Sequence, residues 1–109
     1  MYTYNATIVR VVDGDTLIID VDVGFCITIR QRFRLKDINA YEIKDPNGKG
    51  IEARKRVEQL ISEKGPVVLL KTYKEEKFGR YLAEVILESG AGANLGQLLL
   101  HEGLAVIYE

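Results

Sequence analysis

The chain has 109 residues, of which 47% are hydrophobic and 28% charged, as expected for a folded domain with one core. No apolar run approaches the roughly 20 residues that a membrane-spanning helix needs, so a membrane protein is not expected. The 15 Lys and Arg residues are balanced by 16 Asp and Glu, so any attraction to nucleic acid must come from a local basic patch.

The first third of the chain alternates polar and apolar residues, which predicts three antiparallel strands over residues 2–12, 16–23 and 25–35. Asp13-Gly14-Asp15 is a turn signal between the first two strands, and Gly24 marks the next turn. Cys26 is the single cysteine, which excludes an intramolecular disulfide, and we interpret it as a small hydrophobic residue at the start of the third strand. The N-terminal pattern differs from a secretory signal and predicts a cytoplasmic protein.

The third strand carries a basic stripe, because cations and apolar residues alternate along ITIRQRFRLK. On a strand, this period of two places the cations on one face. The cations are Arg30, Arg32, Arg34 and Lys36. The stripe is either a solvated face of a half-buried strand or a local patch for a polyanion.

The rest of the chain predicts a helix, two strands and a second helix. Residues 50–64 place Ala53, Val57, Leu60 and Ile61 on one helical face, and strands follow at 67–73 and 80–87. Asn94 and Gln97 have capping-box spacing at the start of the last helix, and Gly103 follows its end. The order βββ-α-ββ-α predicts one α+β domain over residues 1–109, a five-stranded OB-fold barrel with helices. An SH3-like barrel lacks the long central helix, and a split βαβ fold would begin with one strand and a helix.

The chemistry must come from carboxylates and arginines, since the sequence has no Walker loop, GxGxxG fingerprint or GxSxG elbow. Carboxylates bind hard cations and arginines neutralise phosphate oxygens, so this set suits metal-assisted phosphodiester hydrolysis. By residue type alone, Asp15 is equally a turn residue, Arg34 and Glu42 a structural ion pair, and Arg80 a solvated cation. Several tyrosines, including Tyr2 and Tyr81, are candidates for stacking on bases, although aromatic residues in strands more often pack.

Five segments in order resemble the staphylococcal nuclease (thermonuclease) family, and the resemblance runs from Ile8 to Ala105. The segments are VVDGDTLII, FRLKDINAYE, GIEARKRVEQL, KFGRYLAEV and NLGQLLLHEGLA. The resemblance implies an OB barrel with helices and a Ca²⁺-dependent endonuclease or phosphodiesterase acting on DNA or RNA. Another divalent ion is the alternative cofactor, and a monomer is expected.

The resemblance also implies a role for each matching residue. The metal ligands fall on Asp15, Asn39 and the backbone carbonyl of Ala40. The general base falls on Glu42, the phosphate-binding arginines on Arg34 and Arg80, and the residues that approach the nucleotide on Lys77 and Phe78.

The sequence departs from the family pattern at two positions, since Asn39 stands where the family has a ligand aspartate and Tyr41 where it has a proline. An amide oxygen coordinates Ca²⁺ with one negative charge fewer. Asp37 would supply the missing charge only if the strand continues that far. The alternative function is therefore a catalytically weak or inactive OB module that binds nucleic acid or protein.

Overall fold

A computed structural model describes residues 2–41, 46–74 and 81–107, and its centre is a closed barrel of five strands. The strands are β1 (Tyr2–Asp13), β2 (Thr16–Asp22), β3 (Thr28–Leu35), β4 (Ile38–Ala40), β5 (Val67–Lys74), β6 (Tyr81–Ile86) and β7 (Ala105–Ile107). The helices are α1 (Lys49–Lys64) and α2 (Leu95–His101), with a 3₁₀ turn at Glu88–Gly90. Around the barrel the order is β1-β2-β3-β6-β5, and β3 and β6 run parallel. The predicted OB-fold barrel with two helices is confirmed.

The hairpin between β2 and β3 differs from the sequence prediction, because β3 begins at Thr28 rather than at residue 25. Phe25 and Cys26 have positive φ angles of 54° and 60°, which strand residues do not adopt. They form the tip of a turn that the Val23 amide closes by donating to the Ile27 carbonyl over 3.1 Å. Cys26 is exposed there, so its interpretation as a packed strand residue is wrong.

A second, two-stranded sheet lies beside the barrel and was not predicted. It pairs β4 with β7, so that Ile38 faces Ile107 and Ala40 faces Ala105 in antiparallel register. Each strand has three residues, too few for a period of two to be recognised. This small sheet fixes the backbone of residues 38–40 against the barrel.

The core lies inside the barrel and under α1. Ala53, Val57 and Leu60 are buried on the helical face that the sequence predicted, and Ile61 is half-buried at its margin. At the start of α2 the Asn94 side chain accepts a hydrogen bond from the Gln97 amide over 3.3 Å, which confirms the predicted N-cap. Among the described residues no helix is long and apolar enough to cross a membrane.

Gly14 lies in the turn between β1 and β2, where α1 and β4 approach the backbone closely. A Cβ atom at Gly14 would lie 2.8 Å from the Ala53 Cβ and 2.9 Å from the Ala40 Cβ. We therefore expect Gly14→Ala to lower the free energy of unfolding by about 1–3 kcal/mol, the usual cost of overpacking. Urea denaturation measures this loss.

Gly96→Ala is the matched control, because its added methyl would come no closer than 3.3 Å to a neighbouring atom and it lies in a helix. Its effect on unfolding should be much smaller. Equal stability of wild type and Gly14→Ala would contradict the tight packing of this turn.

Candidate functional site

The site is built around Arg34, whose guanidinium lies between two oxygen-bearing side chains from different elements. Arg34 Nη2 is 3.6 Å from Asp15 Oδ2 and donates a hydrogen bond to Asn39 Oδ1. The side chains of Arg34 and Asp15 are each 12% exposed. Because the pair is largely shielded from water, its electrostatic attraction is stronger than that of a surface ion pair.

Asp15 joins the turn after β1 to both β3 and β4. Its Oδ2 accepts the Ala40 amide over 3.1 Å, its Oδ1 accepts the Thr16 hydroxyl over 3.2 Å, and its backbone carbonyl accepts the Leu35 amide over 2.8 Å. A single carboxylate therefore positions the backbone at Ala40 relative to the side chain of Arg34. We call Asp15, Arg34, Asn39 and Ala40 the Asp15 cluster.

The Asp15 cluster brings together four of the predicted site residues. The other four lie outside the described residues: Glu42, Lys77, Phe78 and Arg80. The described chain resumes at Tyr81, which pairs in register with Phe33, the residue before Arg34.

Asp37 does not add its charge to the Asp15 cluster. β3 ends at Leu35, and Asp37 sits in the following turn with a φ of 64°, so the strand does not continue that far. The Asp37 side chain is 72% exposed, and its Oδ2 lies 3.0 Å from Lys36 Nζ. This hydrogen bond raises the pKa of Lys36. The negative charge of Asp37 is therefore directed to Lys36.

The basic stripe faces outward along β3 and reaches the Asp15 cluster at Arg34. Arg30 is paired with Asp20 of β2, with Nε 2.7 Å from Oδ1, and this bond raises the pKa of Arg30 and lowers that of Asp20. Arg32 lies between Arg30 and Arg34 in the outward row and is in no ion pair within the described part of the chain. Arg32 is thus the cation of the stripe that remains available to a polyanion.

The donors of the Asp15 cluster fit a hard divalent cation by chemical type. A carboxylate, an amide oxygen and the backbone at Ala40 come from two adjacent elements, and oxygen ligands of this kind suit Ca²⁺. Their negative charge is low, since within the described ranges no group of three or more His, Cys, Asp or Glu residues is placed to hold a metal. In addition, Arg34 takes the Asn39 oxygen that would turn to the cation.

A cavity of about 350 Å³ adjoins the cluster, and sequence analysis did not single it out. Its wall combines Arg32 and Arg34 with Gln31, Tyr81 and Asp13. These residues come from three strands, and only Tyr81 had carried a signal, as one of several tyrosines able to stack on a base.

An OB-type barrel with a basic stripe that ends at a shielded arginine and carboxylate defines a nuclease-like module that binds nucleic acid. A family model described as "Staphylococcal nuclease homologue" matches residues 32–109, and the chain belongs to this family. Asp15 precedes the matched residues, and its contacts with Arg34 and Ala40 attach it to them. A comparison with curated proteins gives no match.

Proposed function

We propose that the protein hydrolyses phosphodiester bonds in DNA or RNA with the help of a divalent cation, Ca²⁺ in the first place. The observation that carries this proposal is the Arg34 guanidinium, held beside Asp15 and Asn39 at the end of an outward row of arginines. A shielded guanidinium of this kind is suited to a phosphate, because its fork of N–H donors matches two phosphate oxygens.

Arg34 and Arg80 act together on the charge that develops on the phosphate in the transition state. Arg80 directly precedes Tyr81, and the register of Tyr81 with Phe33 supports a location of this arginine near Arg34. Lys77 and Phe78 contact the adjoining nucleotide. Together these groups hold the scissile phosphate and orient it for attack by water.

Glu42 is the general base that accepts the proton of the attacking water. It follows Ala40 by two residues, and the bond from the Ala40 amide to Asp15 ties this segment to the cluster, which supports the assignment. General-base catalysis requires the carboxylate to lie within hydrogen-bond reach of that water.

Asp15, Asn39 and the carbonyl of Ala40 would hold the cation. A divalent ion bound there supplies Lewis-acid polarisation of a phosphate oxygen. Asp15 contributes the negative charge, Thr16 orients its carboxylate, and Asn39 exchanges its hydrogen bond from Arg34 for the ion. Release from Asn39 leaves that Arg34 donor available to the phosphate.

A cleavage assay on single-stranded DNA and on RNA tests the proposal. We expect cleavage with Ca²⁺ or another divalent ion and its loss when a chelator is added. Absence of cleavage with every divalent ion would overturn the proposed activity.

The second candidate is an OB module that binds nucleic acid or protein without cleaving it. The neutral Asn39, whose oxygen is bonded to Arg34, favours this alternative, because the cation site then has few charges. Binding of the same oligonucleotides without cleavage under any metal condition would support it.

Asn39→Asp is expected to raise Ca²⁺ affinity about tenfold or more, because it places a second anionic oxygen beside the ion at nearly constant volume. Calorimetric titration of Ca²⁺ measures the affinity, and cleavage at limiting Ca²⁺ should rise in parallel. Asn5→Asp is the matched control, since it adds the same charge at an exposed position of β1. An unchanged affinity in Asn39→Asp would remove Asn39 from the metal site.

A further inference from the structure

The cavity beside the Asp15 cluster has a charged side and an aromatic side. Arg32 and Arg34 lie in its wall at alternate positions of β3, and Tyr81 enters from the first residue of β6. Residues two apart on a strand are separated by about 6.8 Å along it. This arrangement offers two cations to successive phosphates of an extended strand, with an aromatic ring next to them.

Tyr81 is held in place and still presents a free surface. Its ring centroid is 6.2 Å from that of Phe33, at an interplanar angle of 58°, and Phe33 is buried in the core. Tyr81 itself is 42% exposed. A ring supported on one side and open on the other is suited to stacking on a nucleobase.

The polar groups of the cavity favour one orientation of the nucleotide. Asp13 lies in the wall together with the two arginines, and its carboxylate repels phosphate. The phosphates therefore lie on the side of Arg32 and Arg34, while the base enters the cavity. There Gln31 offers an amide that can hydrogen-bond to the edge of the base.

The size of the cavity limits what can enter. A volume of about 350 Å³ is near the lower end of the range for small-molecule sites, so it suits one nucleoside unit. In a duplex the base is paired and stacked, and its extrusion costs a few kcal/mol. An unpaired base enters without this cost.

We propose that this cavity is a subsite for one unpaired nucleoside next to the phosphate at Arg34, with its base stacked on Tyr81 and its other phosphate at Arg32. The inference rests on the proposed function only for the location of the phosphate at Arg34. It makes the protein selective for single-stranded nucleic acid.

The test measures binding of a fluorescein-labelled single strand, and of the same strand in a duplex, by anisotropy at fixed salt with a chelator present. We expect the single strand to bind at least about tenfold more tightly than the duplex. Tyr81→Ala should weaken single-strand binding by about tenfold, as loss of one base stack does. Tyr81→Phe keeps the ring and should stay within about twofold of wild type.

Two further variants separate the stack from folding and from a general loss of aromatic surface. Tyr81→Leu keeps an apolar side chain against Phe33 without a ring, so it should fold and bind as weakly as Tyr81→Ala. Tyr2→Ala removes an exposed tyrosine of β1 that is no part of the cavity wall, and should leave affinity unchanged. Equal affinity for duplex and single strand, or full affinity in both Tyr81→Ala and Tyr81→Leu, would overturn the subsite.

Failure of the subsite is distinguishable from failure of the proposed function, because the chelator makes the binding assay independent of cleavage. A protein that binds through Tyr81 but never cleaves keeps the subsite and loses the nuclease activity. A protein that cleaves single strands and duplexes equally, with Tyr81→Ala at the wild-type rate, keeps the nuclease activity and loses the subsite.

Discussion

Glu42→Gln is expected to lower kcat for cleavage by about 10²–10⁴-fold, the usual contribution of general-base catalysis. Gln has nearly the same volume as Glu but cannot accept the proton of the attacking water at neutral pH. Single-turnover cleavage at saturating Ca²⁺ measures the chemical step, and thermal unfolding of the same variant should match wild type.

The control for Glu42→Gln is Glu52→Gln, which removes the same charge from an exposed position in the first turn of α1. Its cleavage rate should stay within about twofold of wild type, because a surface charge contributes little. A loss below about tenfold in Glu42→Gln would exclude this residue as the general base.

Arg34→Lys is expected to lower kcat by about 10²–10³-fold, the range seen when one donor to a developing negative charge is removed. Lys keeps the positive charge beside Asp15 but replaces the planar fork by a single point of donation. It therefore no longer reaches Asn39 and two phosphate oxygens together. We choose Lys because Ala would leave the largely buried Asp15 carboxylate without its cation.

Steady-state kinetics on a single-stranded substrate separates the two roles that Arg34 can have. A fall in kcat with little change in KM indicates that Arg34 acts on the transition state, whereas a rise in KM alone would restrict it to substrate binding. Arg30→Lys is the matched control on the same strand, since Arg30 is paired with Asp20 rather than with the cluster. Its kcat should be nearly that of wild type.

The barrel and its helices could be predicted because their signals are local. Alternation of apolar residues identified β1, β2 and most of β3, and the helical period identified the face of α1 that carries Ala53 and Val57. The side chain of Asn94 caps α2 as the spacing to Gln97 indicated. Such patterns survive in the fold because burial of one face stabilises the strand or helix that presents it.

Two local predictions failed because backbone conformation overrode the hydrophobic pattern. The run from Phe25 onward alternates like a strand, yet Phe25 and Cys26 adopt positive φ angles in the turn. Asp37 likewise turns out of the strand at a positive φ and meets Lys36. The tight connections between paired strands, rather than the side chains, impose these angles.

By itself the sequence determined the barrel, the two helices and, through the spacing of its motifs, which of Asp15, Arg34 and Asn39 to examine. Only the tertiary structure decided that Asp15 bonds to the Ala40 amide and that Arg34 donates to Asn39. It also placed Tyr81 beside Phe33 and paired β4 with β7. These contacts join residues distant in the chain, and their partners are selected by barrel closure, which no local period encodes.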